Sequence, residues 1–70
     1  ISGMVAGLAE RLATEGGSAE EWARLVNAYG QLGEQDKAAK AYADAKAALA
    51  GDAAGLAQVA EAATRAGVQP

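Results

Sequence analysis

In the run Ser18-Ala-Glu-Glu21-Trp22-Ala-Arg-Leu25-Val26-Asn-Ala-Tyr29-Gly-Gln-Leu32-Gly33, the large apolar residues Trp22, Leu25, Val26, Tyr29 and Leu32 recur at steps of three and four. That spacing stacks side chains along one face of an α-helix and fits no strand. Both ends are marked as well. Ser18 followed three residues later by Glu21 has the form of a capping box, in which hydroxyl and carboxylate satisfy free amides of the first turn. Gly33 suits a left-handed stop. The run therefore predicts a helix over 19 to 32. Gly30 inside it costs about 1 kcal/mol relative to Ala, which points to a close approach by another backbone or a ligand.

Working outward, glycine-containing joints at Gly16-Gly17-Ser18, Gly33 and Gly51-Asp52 cut the chain into four segments, with Gly67 and Pro70 ending the pattern. Downstream, a helix over 36 to 49 faces inward with Ala38, Tyr42, Ala45 and Leu49, while Asp36, Lys40 and Asp44 form a solvated ladder. Asp52 is placed to cap a helix over 53 to 66 whose inner stripe is Leu56, Val59, Ala60 and Ala63. That stripe is thin, so this helix is expected to be the least stable. Upstream, Met4, Val5, Leu8 and Leu12 share a face of a helix over 3 to 13, and Gly3 with Gly7 suggests close packing of a neighbouring helix. Four helices with short links require antiparallel sequential neighbours. The expected fold is all-α, an antiparallel helical hairpin array of about four helices forming a single domain over 1 to 70.

Composition narrows the chemistry. Of 70 residues, 51% are hydrophobic, yet 21 of these are Ala and only 15 have bulk to bury. With no Cys and no His, thiol and imidazole nucleophiles, Cys/His zinc sites and His or Cys haem ligation are excluded within these residues. No cofactor and no metal site is expected. The net charge is −3, and the six basic residues Arg11, Arg24, Lys37, Lys40, Lys46 and Arg65 are scattered. This argues against nucleic acid as a partner. The apolar run Ala47 to Ala50 is far too short for a membrane span, so no membrane contact by this segment is expected. A start at Ile1 with no basic stretch before an apolar run suggests excision from a longer protein. The absence of Cys leaves the compartment open.

The middle pair carries a further pattern: Trp22-x2-Leu25-Val26-x2-Tyr29, Leu32-Gly33, then Ala38-x3-Tyr42-x2-Ala45. It resembles one tetratricopeptide repeat, a 34-residue helical hairpin, here spanning residues 19 to 52 as the complete hairpin. Val26 stands where the repeat has a small residue, and Ala50 where Pro commonly ends it. Such a unit cannot bury both faces alone. The first helix would flank it on one side, and the last would open a next repeat with Leu56 and Val59 in the places of Trp22 and Leu25. With Met4-Val-Ala-Gly-Leu-Ala-Glu-Arg-Leu12 included, the chain resembles the tetratricopeptide region of CycH/CcmI-type cytochrome c biogenesis proteins. The resemblance implies a membrane-anchored bacterial parent whose periplasmic repeats hold apocytochrome c, largely through its C-terminal helix, for haem attachment.

In a repeat of this kind the first helix of each hairpin lines a concave wall. Residues of the second and fourth helices turned from the core are then the candidates for gripping a peptide: Glu20, Arg24, Asn27 and Gln31, then Gln58 and Arg65, with Ala23 and Glu61 beside them. Asn27 stands out, because its amide both donates and accepts toward a peptide backbone. Trp22, Leu25, Tyr29, Leu32, Ala38, Tyr42 and Ala45 are assigned to the structural core. Glu20 and Glu21 are adjacent and diverge by about 100° on a helix, so no catalytic pair is assigned and the chain is not expected to be an enzyme. Lys37, Lys40 and Lys46 read as a solvated face. The expected function is a non-catalytic peptide-binding module for apocytochrome c. The alternative is a structural or self-association unit.

Overall fold

The computed structural model describes residues 2–68, so Ile1, Gln69 and Pro70 lie outside the described residues. Four helices account for the fold: α1 (Ser2–Glu15), α2 (Ala19–Gln31), α3 (Gln35–Ala48) and α4 (Ala53–Arg65). No strand occurs among the described residues, and the helices form an all-α hairpin array measuring 31 × 25 × 15 Å.

The ends of α2 and α4 are built alike. At the start of α2, Glu21 N–H donates to Ser18 Oγ at 3.2 Å while Ser18 N–H donates to Glu21 Oε1 at 3.0 Å, completing the capping box. At the start of α4, Gly55 N–H donates to Asp52 Oδ1 at 3.0 Å. At the end of α2, Gly33 adopts φ 75°, Gly33 N–H donates to Gly30 O and Glu34 N–H to Tyr29 O. At the end of α4, Gly67 adopts φ 83°, Gly67 N–H donates to Thr64 O and Val68 N–H to Ala63 O. Both are Schellman closures, and only glycine takes the left-handed position without penalty. Caps, helix bounds and closing glycines of the two helices are each 34 positions apart.

The two helices lie side by side and run in the same direction. At their starts, a Cβ added at Gly55 would sit 3.1 Å from Ala19 Cβ. At their ends, a Cβ added at Gly30 would sit 2.6 Å from Ala66 Cβ and 2.9 Å from Ala66 Cα. The glycine expected to admit a second backbone does admit one, that of the α4 terminus.

The core lies between α2, α3 and α4. Trp22, Leu25, Val26, Ala38, Ala41, Tyr42, Ala45, Leu49, Val59, Ala62 and Ala63 are buried, with Val5 and Leu12 joining from α1. Fully burying an aliphatic side chain is worth about 1.5–3 kcal/mol, so with so few bulky residues each position counts.

Several expectations are corrected. Leu32, assigned to the core, is 38% exposed, because it is the C-cap residue and the chain turns there into α3 with no helix over it. Tyr29 is only half-buried. Met4 is 78% exposed: α1 packs chiefly on α2, along Val5, Leu8 and Leu12, and no helix covers its second side. Gly3 and Gly7, expected at a close helix contact, face open space. The buried stripe of α4 is Gly55, Val59, Ala62 and Ala63, with Leu56 and Ala60 half-buried at its edge. That helix packs most extensively against α2, whereas α1 buries only Val5 and Leu12, so α1 is the weakly anchored element.

Candidate functional site

The parallel placement of α2 and α4 leaves a shallow groove between them, of about 300 Å³. Glu20, Arg24 and Asn27 line it from α2, and Gln58, Glu61 and Arg65 from α4. Arg24 and Asn27 correspond to Gln58 and Glu61 at the 34-residue spacing, so both walls present the same helical positions.

Of the residues expected to grip a peptide, Glu20, Arg24, Asn27, Gln58 and Arg65 are thus brought together. Gln31 is not. It is exposed in the last turn of α2, where the contact between Gly30 and Ala66 draws the helices together and ends the groove. Ala23, counted among residues turned from the core, is buried at 8% exposure and forms the floor with Ala62. Its small side chain keeps the groove open.

The electrostatics of the groove are mixed in sign. Arg24 approaches Glu20 at 3.6 Å and Arg65 approaches Glu61 at 3.3 Å, each pair one helical turn apart and mostly exposed. Exposed pairs of this kind contribute about 0–1 kcal/mol, so their charges remain available to a guest. The half-buried Asn27 sits between them and makes no side-chain hydrogen bond among the described residues. Two guanidinium and two carboxylate groups flank two free amides. The groove thus presents hydrogen-bond donors and acceptors together with charges of both signs.

Glu21 is occupied elsewhere. Its Oε1 accepts from Ser18, and its Oε2 accepts from Arg11 at 2.6 Å, which ties α1 to the start of α2. The Ser18 amide, with Arg11 adding to it, holds the Glu21 carboxyl below its ordinary value. Arg11 was not legible as a partner of Glu21, since nothing in the sequence spacing joins residues ten apart across a turn. On α3, Lys40 pairs with Asp44 at 2.9 Å and Lys37 with Glu34 at 2.8 Å, while Lys46 lies 4.5 Å over the Tyr42 ring. No helix among the described residues is long and apolar enough to cross a membrane.

Comparison with known proteins gives one informative similarity. Over 61 residues, 87% of its length, the chain is 44% identical to the cytochrome c-type biogenesis protein CycH of Bradyrhizobium diazoefficiens. The matched region covers 16% of that protein, so the chain spans about one sixth of its relative. No protein-family model matches the chain. No solved structure matches it either.

Proposed function

We propose that this segment is a non-catalytic, tetratricopeptide-type peptide-binding unit that holds apocytochrome c during cytochrome c maturation in the bacterial periplasm. The observation that carries the reading is the groove itself, in which Asn27 and Gln58 face a common space flanked by Arg24, Glu20, Glu61 and Arg65. The recurrence of caps and closing glycines at 34 positions supports the repeat assignment, since that is the tetratricopeptide period. Similarity to CycH, named for cytochrome c-type biogenesis, supports the cellular role. Repeats present first helices side by side, and a helical or extended guest lies across them.

The parent protein, by the same reading, is membrane-anchored, and this unit is one stretch of its binding surface. The decisive experiment is a titration of the isotopically labelled chain with a peptide from the C-terminal helix of an apocytochrome c. Amide shifts should concentrate at Asn27, Gln58 and their groove neighbours. A groove unmoved at millimolar peptide overturns the proposal. A second reading, association through α1 with another copy or with the rest of the parent, draws on the exposed Met4 and the open Gly3 and Gly7 face. It requires concentration-dependent sedimentation.

A further inference from the structure

On the side of α2 opposite the polar groove lies a second depression, of about 350 Å³, between α1 and α3. The groove and this cleft share no lining residue, because Glu20, Arg24 and Asn27 point one way from α2 and Trp22, Leu25 and Tyr29 the other. Trp22, Leu25 and Tyr29 line the cleft from α2, while its walls are the small residues Ala9 and Ala13 of α1 and Ala41 of α3. It runs on past Ala13 and Trp22 toward Ala47 and Ala48, which makes it a trough and not a closed pouch.

One polar group in it is unaccounted for. The Trp22 side chain is 2% exposed, and its Nε1–H has no hydrogen-bond acceptor among the described residues. A buried donor without a partner costs about 1–3 kcal/mol, and such groups in native proteins call for an explanation. The charges at the rim do not supply an acceptor. Lys40 is paired with Asp44 and Lys37 with Glu34, and the remaining Glu10 stands on the opposite wall. The trough therefore offers an apolar body, one donor, and a rim of two paired lysines with the carboxylates of Glu10 and Glu15.

We propose that the trough between α1 and α3 is a second docking site, for an uncharged apolar peptide segment. One bulky aliphatic or aromatic side chain of that segment lies over Leu25 and Tyr29, and a carbonyl of its main chain accepts from Trp22 Nε1–H. An elongated site suits a chain segment, and every residue of a chain brings a carbonyl. The rim carboxylates Glu10 and Glu15 disfavour an acidic guest, and the rim lysines are already paired. The buried indole nitrogen is reached by a small outward shift of α1, the helix that buries least and packs chiefly on α2.

Trp22 is the sole tryptophan, so its indole N–H gives one resolved signal in a nitrogen-correlated spectrum. The probe is a blocked pentapeptide, acetyl-Gly-Leu-Ala-Leu-Gly-amide. The expected result is a saturable downfield shift of the indole proton with the Asn27 and Gln58 amides unmoved, and loss of that shift in Ala13→Leu, which fills the trough from an exposed position of α1. Unchanged thermal melting of Ala13→Leu shows that the loss is not unfolding. The proposal fails if the indole signal does not move, or if Ala13→Leu responds as the parent does. It also fails if sodium hexanoate produces the same saturable shift, or if raising the protein concentration alone does so, which would assign the trough to a second copy. Because the polar groove is read by different signals, failure here leaves the apocytochrome reading to its own titration.

Discussion

Replacing Gly30 with Ala sets two effects of known size against each other. An alanine in a helix interior is favoured over glycine by about 1 kcal/mol. On that ground alone Gly30→Ala should stabilise α2. The added methyl group, however, would lie 2.6 Å from Ala66 Cβ and 2.9 Å from Ala66 Cα. Neither neighbour is the movable end of a long side chain, so α2 and α4 must separate at their ends. Overpacking of this kind costs about 1–3 kcal/mol. The expected balance is a net loss of about 1 kcal/mol, read as a fall in melting temperature of about 4–8 °C for a domain this small. The double variant Gly30→Ala with Ala66→Gly should recover part of the loss, since it removes the 2.6 Å contact and leaves the backbone one. The strain should also open the end of the polar groove, so the amide of Gln31 should shift more than that of Glu20. A Gly30→Ala protein that melts above the parent would refute the claim that backbone proximity, and not chance, holds glycine at this position.

Three further outcomes follow from the same packing. Trp22→Ala should remove about 3–5 kcal/mol, comparable with the whole stability of so small a domain, and cooperative melting retained in that variant would show the indole to be peripheral. Glu21 has a lowered folded-state pKa, so its contribution is present above the ordinary value of 4.5 and lost as pH falls through the lowered one; Glu21→Gln should melt with a shallower acid slope than the parent, and equal slopes would count against the capping role. Arg11→Ala should leave the melting of α2 to α4 nearly unchanged while hydrogen exchange in α1 rises, because the Arg11–Glu21 pair joins α1 to the rest; exchange rising evenly over all four helices would show that α1 is integral to the core.

What the sequence disclosed and what it withheld divide along the alanine content. In α2, bulk appears at every step of the helical period, and Trp22, Leu25 and Val26 are buried as that period requires. In α4, with Ala at six of its thirteen positions and only Leu56 and Val59 large, the buried face settled on Gly55, Val59, Ala62 and Ala63, and Leu56 was left at the edge. Alanine fits a core and a surface equally well, so only the neighbouring helix decides. The same holds for α1, where the apolar character of Met4 could not reveal that no neighbour stands on that side. Ends behaved differently. Ser18, Gly33 and Asp52 act through hydrogen bonds or backbone angles that are local to a few residues, and those signals survive without tertiary context.

The groove belongs between these cases. Each of its residues could be named from helical phase alone, but their convergence depends on α2 and α4 running in the same direction at close range. That proximity rests on small residues, Ala19 against Gly55 at one end and Gly30 against Ala66 at the other. Larger side chains at those four positions would spread the walls and separate Asn27 from Gln58, however well each were conserved in type. The glycines and alanines that make the core difficult to read are thus the residues that set the width of the site, and a substitution that leaves every groove side chain intact can still abolish binding.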